Sequence, residues 1–392
     1  MERQITLGDV IVPAKVLRCD NDDYPVLSMT MHDGIVLQSN RFKKSLASID
    51  QSNYKVVLRG QLVVGFPIDE GVIYVQNIAE AGIMSPAYGV WNIHSKEIMP
   101  EYLELCLHSP QSMDYYKNKL RGTTARRRSI TTGDLLALPI ILPSLTEQKR
   151  RIGLFRQTTL LLNSQKQAML KFDELVKSRF VELFGALDVN PYNWEISKLN
   201  NFCDLQNGYA FKSGDYVESS GVLNCRMSNI RPDGGFDSEY HPKFLPNEFW
   251  DQYREYRLND GDVIIAMTDM ASDPKILGVP TIVRTNGKRF LLNQRVGKLT
   301  FYNAERINNV YLMFVLSQKN IRQQLVKKAG GSTQINVGKP AILGIEFLVP
   351  PIELQEQFAA FVAEVDKSKL AVKQSLEKLE TLKKSLMQQY FG

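Results

Sequence analysis

The sequence predicts an α+β protein built twice over: two globular domains of short strands and helices, alternating with two long helices that pair as an antiparallel coiled coil. Three observations carry this. Residues 178–185, SRFVELFG, are echoed at 385–392, SLMQQYFG. A proline-free run of about 35 residues leads to each of these endings. The two stretches upstream of those runs hold β-type segments punctuated by Gly, Pro, Asn and Asp.

The first domain spans 1–142. Its strand candidates include Lys55-Val56-Val57-Leu58 and Leu62-Val63-Val64-Gly65-Phe66, and a helical stretch is expected over Pro100 to Leu120. The second element, 143–186, is the first long helix, with Pro143 just ahead of the first turn and Glu147 inside it, an arrangement suited to the helix dipole. Sliding the chain by 207 lays Pro143–Gly185 on Pro350–Gly392 without a gap. Over those 43 positions ten residues are identical, namely Pro143, Gln148, Lys166, Gln167, Lys171, Leu175, Lys177, Ser178, Phe184 and Gly185. The third element, 187–349, is the second domain, with Asp262-Val263-Ile264-Ile265-Ala266 as a strand and a helical stretch expected over Asn308 to Lys328. The fourth, 350–392, is the second long helix.

Within the long helices Phe155, Leu162, Met169, Val176 and Leu183 recur every seven residues, as do Phe358, Val365, Val372, Leu379 and Leu386, the period of a coiled-coil seam. Lys166, Lys369 and Lys383 interrupt the companion positions. Two matched helices in one chain pair most simply about a pseudo-twofold axis, which makes them antiparallel and sends the two domains to opposite ends. Further upstream the echo changes offset, from 209 for Tyr102-Leu103 and Tyr311-Leu312 to 201 for Gly60-Gln61-Leu62 and Gly261-Asp262-Val263. Shifting offsets mean insertions within a shared fold.

A net charge of +6 on 392 residues is mild support for a polyanionic partner. No apolar run is long enough to span a membrane, the first residues lack a signal-peptide pattern, and the expected location is the cytoplasm. Cys19, Cys106, Cys203 and Cys225 show no CxxC spacing, which argues against disulfides and structural zinc. Catalytic motifs are fragments. Gly338-Lys339-Pro340 lacks the Ser or Thr of a phosphate loop. Asn190-Pro191-Tyr192 is short of a methyltransferase box, and Asp273-Pro274-Lys275 is an isolated piece of a nuclease pattern. His32, His94, His108 and His241 have no metal-site spacing, so neither a catalytic nor a metal site is expected.

Loop residues instead suit phosphates and base edges. RGTTARRRSI carries Arg121, Thr123, Thr124, Arg126, Arg127, Arg128 and Ser129, and KKAGGSTQINVGK carries Lys327, Lys328, Ser332, Thr333, Gln334 and Asn336 at the corresponding position of the second half. Arg and Lys neutralise phosphates, and Arg, Asn and Gln make paired contacts to guanine or adenine. Ser39, Asn40, Arg41, Lys43 and Lys44 are further candidates in the first half. In the second they are Tyr209, Lys212 and Ser213, with Phe211 between them; Arg226, Asn229 and Arg231; and Asn293, Gln294 and Arg295.

The layout closely resembles the specificity subunit of type I restriction-modification systems. The match rests on the helix starts PSLTEQKRRI and PPIELQEQF, the Phe-Gly endings, GYAFKS and LLNQRV in the second half, LSMTMHDGIVLQSNRF and LVVGFP in the first, and the GTT and GST loops. One departure is that the first half lacks the longer lead of Tyr192-Asn193-Trp194-Glu195-Ile196. The resemblance implies a reader of double-stranded DNA with no activity alone. It implies two modification subunits that use S-adenosylmethionine to methylate adenine, and restriction subunits that use ATP and magnesium to translocate and cut. Each recognition domain would read half of a split target, with helix length setting the gap. Exposed side chains such as Leu154, Leu161, Leu170, Phe361 and Leu382 would hold the modification subunits. A bipartite type II system stays open as an alternative, as do an autonomous nuclease or methyltransferase and a two-headed protein scaffold.

Overall fold

A computed structural model describes the chain apart from residues 1, 16, 20–23, 32, 42–50, 122–127, 187–188 and 303–304. The long helices span Leu145–Phe184 and Ile352–Phe391, 40 residues each, or about 60 Å at 1.5 Å per residue. The chain divides into two compact units, Met1–Ala168 with Val372–Gly392, and Met169–Ala371. These cut each long helix in two, unlike the four sequential segments of the sequence reading, because the start of one helix packs beside the end of the other.

In the first unit Phe155 lies 5.8 Å from the ring of Phe391, and Arg151 stacks 4.7 Å from Tyr390. In the second, Phe358 packs against Phe180 and Phe184 at 5.4 and 5.7 Å, and Lys369 bonds Asp173 at 2.7 Å. Each unit therefore pairs its helix segments in antiparallel fashion. Phe155, Leu162, Val176, Phe358 and Val365 are buried, and Met169, Leu183, Val372, Leu379 and Leu386 are half-buried.

Each unit is organised round one four-stranded antiparallel sheet. In the first the order is Ile11–Pro13, Gly89–Ile93, Leu62–Val64, Ile73–Val75; in the second it is Cys203–Asn207, Val296–Phe301, Val263–Ala266, Pro280–Ile282. Order and pairing are the same. The second unit adds a sheet in which Val222–Cys225 runs parallel to Arg289–Leu292. The apparent lack of a lead in the first half is corrected here: Arg3–Thr6 pairs with Pro139–Leu142 just as Glu195–Lys198 pairs with Glu346–Val349. Arg3 pairs with Glu97 where Glu195 pairs with Arg306, one ion pair with its charges reversed, so RQIT and EISK share no side-chain signature, and the buried Leu7 and Leu199 that follow reveal the match.

Both helical stretches of the sequence reading break in two. Pro100–Leu107 and Pro110–Lys119 flank Ser109, whose hydroxyl caps the second helix, with Pro110 opening it. Asn309–Leu316 and Lys319–Lys328 repeat the break. The repeated Tyr and Phe now have a shared purpose. Fully buried Tyr102 donates to the Ile141 carbonyl at 3.0 Å and packs 5.5 Å from Phe391. Tyr311 donates to Leu348 at 2.9 Å and packs 4.8 Å from Phe184. Each half thus receives the terminal Phe of the other half's helix.

All four cysteines are buried and none is in a disulfide, and burial pushes the Cys106 and Cys203 thiols up to about 12. Because the thiolate is the nucleophile, iodoacetamide should leave Cys106 and Cys203 unmodified in the folded chain and label them only on unfolding, as mass spectrometry would show. Among the described residues no helix is long and apolar enough to cross a membrane.

Candidate nucleic-acid interface

In the second unit five separate sequence stretches meet along one ladder of backbone bonds. Tyr209 donates to the Leu292 carbonyl at 2.9 Å and accepts from Gln294 at 2.9 Å, while Asn293 donates to Cys225 at 3.0 Å. Met267 donates to Arg295 at 3.0 Å and in turn accepts from Val337 at 2.9 Å, which brings in Gln334–Asn336, itself paired with Thr268–Met270. The approach is close enough to demand glycine. A Cβ on Gly208 would sit 2.2 Å from the Asn293 carbonyl oxygen.

The ladder presents polar side chains of two kinds. Gln294, Arg295, Lys212, Ser213, Lys327, Lys328, Ser332, Thr333 and Asn336 are exposed, and Arg226 and Gln334 are half-buried. Among the described residues, the side chains of Gln294, Arg295, Lys327 and Lys328 form no hydrogen bond or ion pair. Asn229 and Asn293 instead face inward. Asn229 accepts from the Arg226 amide and donates to the Asp237 carbonyl, both at 2.8 Å, and Asn293 accepts from the Arg295 amide at 3.2 Å. These two amides shape the turns that aim their neighbours. Arg231 stacks 4.9 Å from Tyr240, and Asn336 accepts from the Thr268 hydroxyl at 2.6 Å.

Tyr209 is held from behind by Phe211, Tyr253 and Tyr256, with Phe249 and Trp250 in the same cluster. The Tyr209 and Tyr253 rings are 4.4 Å apart, and a hydrogen bond with Tyr209, ahead of burial, pushes the Tyr253 hydroxyl up to about 12. The Tyr253 ring is therefore neutral at physiological pH. This backing is absent from the sequence reading. Its signal is there, because Phe249, Tyr253 and Tyr256 follow the i, i+4, i+7 spacing of one helix face.

In the first unit Ser39, Asn40 and Arg41 lie in the short helix Gln38–Arg41, and Lys43, Lys44, Thr123, Thr124, Arg126 and Arg127 lie outside the described residues. Arg121 and Ser129 exchange backbone bonds of 2.8 and 3.1 Å. Arg121 is exposed, whereas Arg128 is turned inward onto Asp69 at 2.5 Å and onto Glu70. Two carboxylates already neutralise it, so its structural contribution is to tie its own segment to residues 69–70.

The nuclease-like fragment closes on itself, with Lys275 3.0 Å from Asp273. Among the described residues no group of three or more His, Cys, Asp or Glu is placed to hold a metal.

Residues 191–382 match the family model described as the type I restriction modification DNA specificity domain. The chain is 24% identical over 380 residues to the type I restriction enzyme MjaVIII specificity subunit of Methanocaldococcus jannaschii, covering 93% of this chain and 84% of that one. It is 29% identical over 125 residues to the Escherichia coli EcoAI specificity subunit, 31% of this chain and 20% of that one. Its fold is shared with the type I restriction-modification S subunit of M. genitalium, at a TM-score of 0.55 and 14% identity, covering 100% of this chain and 96% of that chain. It is also shared with a chain from a solved type I restriction-modification system, at 0.57 and 18% identity, covering 100% and 97%.

Proposed function

We infer a division of labour from one premise: the chain is a specificity subunit of the type I restriction-modification family. In this reading it binds DNA sequence-specifically, each globular half reads one half of a split target, and the long helices set the gap and dock two modification subunits. The observation that carries it is the duplicated frame. One sheet order and one Tyr–Phe joint occur twice, while the loops mounted on them differ in length and sequence. Two like frames with unlike loops suit two unlike half-sites. The relatives named above are type I proteins, which favours this over a bipartite type II system.

Helices of about 60 Å would reach across roughly 1.8 turns of duplex at about 34 Å per turn. Methylation of adenine with S-adenosylmethionine, and ATP- and magnesium-dependent translocation and cutting, would belong to the modification and restriction subunits, leaving this chain without catalysis of its own in the cytoplasm. Exposed Leu161, Leu170 and Leu382, with half-buried Leu154 and Phe361, offer apolar contact to the modification subunits.

Lys327 and Lys328 are assigned to phosphates and Gln334 to a base edge. Replacing both lysines by Ala should weaken binding on every sequence and shallow the log Kd against log salt slope by about 2, since each phosphate contact contributes roughly 0.9. Gln334→Ala should weaken binding about 10- to 100-fold only where the second half-site is intact. Titrations of the chain with its modification subunit against duplexes scrambled in one half-site test both. An equal loss on all duplexes would make Gln334 a phosphate-positioning residue.

A further inference from the structure

We propose that Gln148 and Gln355 are positioning residues that lock each reading head to its long helix and thereby hold the gap to a single length, an inference that rests on the two-headed reading above. Both are completely buried. The Gln148 side chain accepts from the Met99 amide at 2.8 Å and donates to the carbonyls of Glu97 at 2.7 Å and Pro143 at 3.0 Å. Gln355 accepts from Asn308 at 2.8 Å and donates to Arg306 at 3.2 Å and Pro350 at 2.7 Å.

One amide in the first turn of each helix therefore grips two things at once. It holds the chain entering the helix, and it holds the turn that opens the head's first helix at Pro100 or Asn309. Every partner is a backbone atom, so the joint is indifferent to the differing sequences Glu97-Ile98-Met99 and Arg306-Ile307-Asn308. The glutamines are 207 residues apart and their partners in the heads 209, so the joint is the same although the intervening chain differs in length. Leverage makes such a joint matter. A rotation of about 10° displaces a point roughly 20 Å away by about 3.5 Å, close to one base-pair step.

Gln148→Met and Gln355→Met each remove three bonds at nearly constant volume. The test is to sequence methylated DNA from cells holding the chain with its modification subunits. Wild type should show one gap between its half-sites. In either variant both half-sites should persist while methylation at gaps one base pair longer or shorter rises at least tenfold. Methylation that falls uniformly, or persists, with the gap as strict as in wild type overturns the proposal. If a Met variant does not accumulate, Gln→Glu at the same position, which keeps the acceptor and loses the amide donor, is scored by the same two results. A wild type with no split motif defeats the two-headed reading instead.

Discussion

Phe184→Ala should cost about 3 to 5 kcal/mol of stability, the usual range for emptying a buried phenylalanine site. The ring is completely buried among Phe180, Tyr311 and Phe358, with Trp194 at 6.0 Å. The neighbours come from both long helices, the head's first helix and the chain entering its first strand. No single rotamer change refills that site. Loss should be local to the second unit, so hydrogen exchange should accelerate in Asn309–Leu316 and the first turns of Ile352–Phe391 while Pro100–Leu107 keeps its protection. Phe391→Ala should do the converse, loosening the helix Pro100–Leu107 through Tyr102 and the start of the first long helix through Phe155. Equal exchange changes in both units for either variant would reject the picture of two separate joints.

Gly208→Ala should cost about 3 kcal/mol or more, and by a different route. The obstructing atoms are backbone, the Asn293 carbonyl at 2.2 Å and the Leu292 carbonyl oxygen at 2.6 Å, so no side chain can rotate away and the ladder itself must part. Separating residues 208–209 from 292–294 would release Tyr209 from its aromatic backing and turn Gln294 and Arg295 out of register. Half-site discrimination by the second head should fall with stability, whereas Gly214→Ala, with open space around its Cβ, should change neither. Urea unfolding and half-site titration of the two variants provide the comparison. A stable, discriminating Gly208→Ala protein would show that the ladder does not organise the interface.

The duplication was legible because its joints repeat with their side chains intact. Phe184 and Phe391 must each fill a pocket built from two helices and a tyrosine, and Gln148 and Gln355 must each fit between fixed backbone atoms, so identity persists at an unbroken offset. The sheets were harder to read. Their strands correspond at offsets of 192, 201, 207 and 208 along the chain, because loops between them differ in length. A three-residue strand such as Leu62–Val64 needs only apolar bulk to match Val263–Ala266. For the candidate interface, GYAFKS and LLNQRV stood out as motifs, but nothing in their spacing revealed that Tyr209 and Asn293 are bridge partners. Nor can residue type separate roles. An asparagine amide serves a turn or an adenine equally well, and only the burial of Asn229 and Asn293 assigns them to turns, as only its carboxylate partners assign Arg128 to tying its own segment to residues 69–70.

Wild-type methylated-DNA sequencing tests the account most directly, in a host that carries this chain together with its modification partner and no other methyltransferase. The account predicts modified adenines within one split motif, two defined halves separated by an invariant number of unspecified bases. An unbroken motif, or one half recognised without the other, would contradict it.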